Sequence, residues 1–170
     1  EGRPVLPLWM VSPAPDSRLQ SLIDEIPAAG SVRFFQRLET DTIEALYSLA
    51  AALIFPSIAE GFGWPIAEGL ACGCPVLTTG EPPMNEVGGP HAHYLPRLPD
   101  RDGHKGWAIQ GAEMLCCLLD RPDAEVESAA LAGMEWACRY DARRAIEAYL
   151  KIYESVLSSA QSINRCPAAR

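Results

Sequence analysis

Residues 52–79 read ALIFPSIAEGFGWPIAEGLACGCPVLTT, and this stretch decides the fold. It opens on an apolar run, Ala52–Phe55, stopped by Pro56-Ser57, which predicts a strand and a turn. It closes on a second run, Pro75–Thr78, which predicts another strand. Between them Gly61 and Gly63 precede a helix expected from about Pro65 to Cys72. Proline suits a first helical turn, because its missing N–H breaks no helical bond. Glycines let the backbone reach φ > 0 and approach a ligand closely. This order of elements sets the free N–H groups of Gly61, Phe62, Gly63 and Trp64 at the carboxyl edge of a sheet, where open α/β sheets bind ligands. The positive helix end there favours a phosphate.

The same alternation runs outward from this segment. Val5–Val11 is an apolar run ended by Ser12-Pro13-Ala14-Pro15. Asp16 or Ser17 can cap a helix carrying Leu19, Leu22, Ile23 and Ile26, closed by Pro27 and Gly30. Val32–Phe35 is a further strand, and Thr40 or Asp41 opens a helix with Ile43, Leu46, Tyr47 and Leu49 on one face. His93–Leu95 is a short fifth strand. Helices follow at Trp107–Leu119, from Glu125 to about Cys138, and at Asp141–Leu157, the last with an apolar stripe of helical period. The pattern predicts an α/β fold: a doubly wound, Rossmann-like parallel sheet with helices on both faces and a C-terminal helical segment. The expected strand order is 2-1-3-4-5. One domain is expected over 1–157, with a polar flexible tail over 158–170.

Composition narrows the function. The 170 residues are 48% hydrophobic and 21% charged, enough for a core and unlike a disordered chain. Lys plus Arg is 14 against 22 Asp plus Glu, a net charge of −8, and Lys105 and Lys151 are the only lysines. Such a chain offers no broad phosphate-backbone surface, so nucleic acid is not an expected partner. No apolar run reaches a membrane span, and nothing reads as a signal peptide. The first residue is Glu1, so a fragment or processed piece is expected. The cysteines at 72, 74, 116, 117, 138 and 166 have no disulfide-framework spacing and read as buried, reduced thiols of a cytoplasmic protein. Cys72-x-Cys74 with His91-x-His93 lacks the spacing of a structural zinc site, so no metal is expected. With Gly88-Gly89-Pro90 beside them, His91 and His93 read as exposed loop histidines, and so does His104.

Glu60 and Glu68 bracket the helix start. Beside a diphosphate an unpaired carboxylate is repelled, so each is read as an acceptor for sugar hydroxyls in one cleft. The bland alternative makes Glu60 a cap and Glu68 a solvated surface residue, but it leaves both glycines and Pro65 unexplained.

Pro56-Ser57, Glu60-Gly61-Phe62-Gly63, Pro65, Glu68-Gly69, Gly73, Pro75-Val76 and Glu86-Val87 together resemble the C-terminal donor-binding domain of retaining glycosyltransferases of the group 1 family, which have the GT-B fold. The family's Glu-x7-Glu marker corresponds to Glu60 and Glu68. More weakly, Leu46-Tyr47, Ala50–Ser57 and the Tyr-containing helix 141–157 resemble the family's flanking elements. The resemblance implies that Glu68 binds the nucleotide ribose and that Glu60 contacts the donor sugar as the catalytic glutamate. It implies that the amides of Gly61, Phe62 and Gly63 touch sugar or diphosphate, and that Thr78, Thr79 and Glu86 line the same edge. It also implies a metal-independent reaction with no cofactor, in which a nucleotide-sugar donates its sugar to an acceptor hydroxyl with retention.

Two positions depart from the family pattern: Gly69 stands where Ala is usual, and Asn85 where Pro is common. The family's diphosphate-neutralising Arg and Lys have no counterpart ahead of Val5, where Arg3 is alone. Its first strand and its N-terminal acceptor domain are also expected to be missing. The expectation is therefore a transferase of glycan biosynthesis whose isolated chain is inactive and self-associates through open sheet edges. Its location is expected to be cytoplasmic, with membrane attachment through the missing domain as an option. The competing expectation is a non-catalytic nucleotide-binding or interaction module on a degenerate copy of the fold. A dinucleotide-binding enzyme is excluded, because no G-x-G-x-x-G follows the first strand.

Overall fold

The computed structural model describes residues 6–26, 32–100 and 102–164. Val5 and Arg3, the helix-closing Pro27 and Gly30, Cys166 and the last residues of the expected tail lie outside these. The chain divides into two compact units, Glu1–Ala45 and Leu46–Arg170, where a single core was expected.

The first unit is a β-α-β arrangement. Strands β1 (Leu8–Val11) and β2 (Val32–Phe35) pair in parallel from Leu8 opposite Val32 to Val11 opposite Phe35. The Trp9 and Phe35 rings lie 5.4 Å apart across this ladder. Helix α1 (Ser17–Asp24) starts as read, with Asp16 Oδ1 accepting from the Leu19 N–H at 2.8 Å. Helix α2 (Thr40–Leu49) spans the boundary between the units.

The second unit carries β3 (Leu53–Phe55), α3 (Trp64–Ala71), β4 (Val76–Thr79), α4 (Met84–Gly88) and β5 (Ala92–Leu95). Helices α5 (His104–Leu119), α6 (Asp123–Ala137) and α7 (Ala142–Asn164) follow. Its three strands run parallel in the order β3-β4-β5. The strands form two ladders, β1-β2 and β3-β4-β5, where one sheet in the order 2-1-3-4-5 was expected. All four residues of β4 are buried, as suits a strand flanked on both edges and covered on its faces. Ile66, Ala67 and Leu70 of α3 join Val76, Met84, Val87 and Ala137 in the core.

Small residues permit the tight layering. A Cβ at Gly133 of α6 would lie 3.2 Å from Leu70 Cδ2. One at Gly69 would lie 3.0 Å from Leu53 Cδ2 and 3.4 Å from Val76 Cγ2. The departure from the family's Ala therefore sits where α3 presses on β3 and β4.

Other departures are local. Helix α4 has no counterpart among the expected elements, because Pro82-Pro83 and Gly88-Gly89 punctuate a run too short for periodicity to show. The expected loose tail is helical through Asn164. The α7 stripe of Ile146, Tyr149, Leu150, Tyr153, Val156 and Leu157 is more than half exposed at every position. Cys116, Cys117 and Cys138 are exposed rather than buried; α5 turns Leu118 inward and leaves Cys116 and Cys117 outside, while Cys138 sits at the end of α6, and Cys74 is buried. No helix among the described residues is long and apolar enough to cross a membrane.

Gly89 ends α4 at φ +51°, and a Cβ there would fall 2.1 Å from Trp136 Cζ2. Gly89→Ala is expected to destabilise the protein by about 3 kcal/mol. Gly61→Ala, where a Cβ meets nothing within 4 Å, should stay within about 0.5 kcal/mol of the parent. Urea unfolding compares the two, and equal midpoints would refute the clash.

Candidate functional site

The turn between β3 and α3 is held from inside the sheet. Thr78 Oγ1 donates to the Phe55 carbonyl at 2.8 Å, and Thr79 Oγ1 donates to the Ser57 carbonyl. Ser57 Oγ in turn donates to Glu60 Oε1 at 2.8 Å and reaches the Ala59 carbonyl at 3.2 Å. Both threonines are fully buried, so they do not line a ligand edge as expected. Their hydroxyls are occupied by β3, because the neighbouring strand end needs donors for its free carbonyls. Thr79 instead anchors the residue that holds Glu60.

Gly63 caps α3 in the left-handed region at φ +94°, with no side-chain cap. Pro65 lies in the first turn as read, and the Ile66 N–H closes on the Gly63 carbonyl at 3.0 Å. Gly61 and Glu60 are exposed, Phe62 is half-buried and Gly63 is buried. Phe62 stacks at 4.6 Å on Trp64 and meets Tyr140 edge-on at 5.3 Å, which fixes the turn against the end of α6.

Glu68 follows Trp64 by one turn and is exposed. It borders a cleft of about 350 Å³ with Trp64, Ala67, Met134, Tyr140 and Asp141. Tyr47 Oη donates to Glu68 Oε2 at 3.3 Å. Burial, with the Glu68 carboxylate adding to it, holds the Tyr47 phenol above its ordinary pKa, so at neutral pH it is a donor. The two glutamates are thus engaged separately, Glu60 by Ser57 and Glu68 by Tyr47, rather than as a pair sharing one partner. Glu86 is exposed on α4, and its backbone carbonyl accepts from Tyr140 Oη at 3.2 Å.

The aromatic residues around α4 are the part sequence reasoning missed. Tyr140 Oη also reaches the Val87 carbonyl at 3.2 Å, which takes the Trp136 indole N–H at 2.8 Å. Tyr94 Oη contacts the Asn85 carbonyl at 3.3 Å and donates to the Gly89 carbonyl. The Arg139 guanidinium lies 3.4 Å over the Trp136 ring. A short helix leaves its last carbonyls unpaired, and these three rings supply the donors. Tyr140 and Trp136 stand four residues apart near a helix end, which was the only available signal.

At the amino end of β4 and β5, Cys74, His91, His93 and Arg121 border a cavity of about 20 Å³, room for one water. No group of three metal-ligating side chains occurs among the described residues. His93 lies in β5 and His91 stacks on Trp136 at 5.3 Å, so neither is the free loop histidine expected. His104 is exposed, its Nε2 2.7 Å from the Pro99 carbonyl.

Residues 12–94 match the family of glycosyl transferases, group 1. An O-antigen chain mannosyltransferase of Salmonella typhimurium is 34% identical over 105 residues, 61% of this chain and 29% of that protein. A D-inositol 3-phosphate glycosyltransferase of Mycolicibacterium smegmatis is 28% identical over 162 residues, 92% of this chain and 34% of that protein. Among solved structures, the pneumococcal O-GlcNAc transferase GtfA in complex with UDP and GlcNAc superposes with a TM-score of 0.69 at 21% identity, over 84% of this chain and 28% of that one. The fold is that of the GT-B glycosyltransferases. The chain carries a group 1 glycosyltransferase domain. It spans about a third or less of the curated relatives it matches.

Two outcomes test this geometry. Thr79→Val keeps the shape but leaves the Ser57 carbonyl unpaired, and should cost about 1–2 kcal/mol in urea unfolding. A loss below a few tenths would mean that the bond contributes nothing. The second concerns His93, whose imidazole burial pushes below its ordinary value of 6.5, with Arg121 adding to the shift. Below pH 6.5 the unfolded chain takes up a proton that the folded one resists, so stability falls from there down through the lowered folded pKa. His93→Gln should remove that share of the decline; an unchanged slope of stability against pH would exclude it.

Proposed function

We propose that this chain is the donor-binding part of a retaining glycosyltransferase, working with an acceptor domain supplied from outside the residues described. The carrying observation is the placement of two exposed glutamates around one helix start, each with its own hydroxyl partner. Glu68 beside its cleft suits ribose, a ring whose vicinal hydroxyls donate to a carboxylate. Glu60 is carried on the turn that the Gly61–Gly63 amides belong to, the position suited to the donor sugar and its diphosphate. Glu86, exposed on α4, completes that edge.

In the reaction proposed, the acceptor oxygen forms the new bond to the anomeric carbon as the bond to the diphosphate breaks. Both events occur on one face of the sugar, which retains its configuration. The departing diphosphate oxygen takes the acceptor's proton. The amides at the α3 start stabilise the charge growing on that oxygen. The chain's own groups supply binding and orientation, with no metal in the scheme. The relatives' names, mannosyltransferase and inositol phosphate glycosyltransferase, support sugar transfer as the class of activity. Nucleotide-sugar is the donor class, in keeping with the UDP of the structural neighbour.

Binding by this chain alone should be weak. The helix end contributes about 0.3–1 kcal/mol at an exposed site, and carboxylate-to-ribose bonds about 1.5–3 kcal/mol. The net charge of −8 opposes an anion, most of all at low salt. These terms reach at most about 4 kcal/mol, so the dissociation constant is expected to be millimolar or weaker. Titration with a nucleoside diphosphate and its sugar conjugate is the test. Glu68→Ala should abolish binding of both, whereas Glu60→Ala should weaken the sugar conjugate and spare the bare diphosphate. Unchanged affinity in Glu68→Ala would overturn the ribose assignment.

A further inference from the structure

We infer that Tyr47 is a positioning residue for nucleotide recognition: its hydroxyl holds the Glu68 carboxylate in the rotamer that meets the ribose. This rests on the ribose reading of Glu68. Tyr47 comes from α2, outside the turn and helix that carry the motif, and reaches Glu68 from a half-buried position. Its phenol touches a carboxylate that is otherwise exposed at the edge of a cleft. A free glutamate samples many rotamers and loses them on gripping a ligand. A fixed donor on Oε2 removes part of that loss in advance and leaves Oε1 available to a ligand. The separation of 3.3 Å is long for such a bond, and it should shorten when ribose hydroxyls draw the carboxylate into place.

A second role is open to the same contact. Tyr47 could serve only to tie α2 to α3, with Glu68 as a convenient surface acceptor. The raised phenol pKa, owed first to burial and then to Glu68, is common to both. The two differ in what Tyr47→Phe does, because that variant keeps the ring and its packing and removes the hydroxyl alone. A tie costs stability without regard to ligand. A positioning bond costs ligand affinity, and only for ligands that carry ribose hydroxyls.

The test is a nuclear magnetic resonance titration of the chain with UDP, GDP and ADP. It is repeated with the 2′,3′-dideoxy form of whichever binds most tightly. Tyr47→Phe should weaken the ribonucleotide about three- to tenfold. It should leave the dideoxy form within about twofold, with the thermal midpoint held near that of the parent. If Glu68→Ala weakens the ribonucleotide but Tyr47→Phe does not, the positioning role is wrong and the ribose reading stands. Equal losses for ribo and dideoxy ligands also overturn the positioning role. If Glu68→Ala changes nothing, or no nucleotide binds the parent chain, the ribose reading fails and the role of Tyr47 falls with it.

Discussion

The second unit depends on what happens to a handful of carbonyl groups. Helix α4 is five residues long, too short to satisfy its own carboxyl end, and it lies between the buried β4 and the half-buried β5 in chain order. Tyr94 from β5, Trp136 from α6 and Tyr140 just beyond it donate to the carbonyls of Asn85, Glu86, Val87 and Gly89. Each ring also buries apolar surface, so one side chain both fills space and supplies a donor. Tyr140 then meets Phe62, which stacks on Trp64, and the glycine turn is thereby fixed to the same cluster. The position of the α3 start follows from bonds made far along the chain, at separations above fifty residues for Tyr140.

How the site handles charge follows a related rule. Among the described residues no basic side chain bonds to Glu60 or Glu68; each accepts from a neutral hydroxyl, Ser57 and Tyr47. A neutral donor orients a carboxylate without cancelling its charge, which suits a group meant to attract sugar hydroxyls. An arginine fork in either place would occupy both oxygens and close the site to a ligand. The buried Thr79 extends the principle inward, since it fixes the Ser57 backbone and leaves the Ser57 hydroxyl to the glutamate.

Much of this was legible in the sequence for identifiable reasons. The strands at 32–35, 53–55 and 76–79 announce themselves as apolar runs stopped by proline, glycine or polar residues. The α3 start is marked by Gly63 and Pro65, whose backbone limits act locally. Asp16 was readable as a cap because its bond spans three residues. What was hidden depends on distance. Thr78 and Thr79 have the composition of a solvent-facing strand end, and only the neighbouring β3 carbonyls turn them inward. Tyr47 reads as one more apolar position on α2, and Tyr140 as the close of a helix. The division at residue 45 was equally invisible, because α2 runs across it without a break in pattern.

Gly69 carries a consequence for how this sequence can change. Alanine would gain about 1 kcal/mol in helix propensity at an interior position. Here the added methyl would press on Leu53 at 3.0 Å, so the gain is withheld until the strand makes room. Residues 53 and 69 are therefore coupled. Alanine at 69 shows its helix gain only if the end of the Leu53 side chain gives by a few tenths of an ångström, or if a shorter residue at 53 makes room at modest cost.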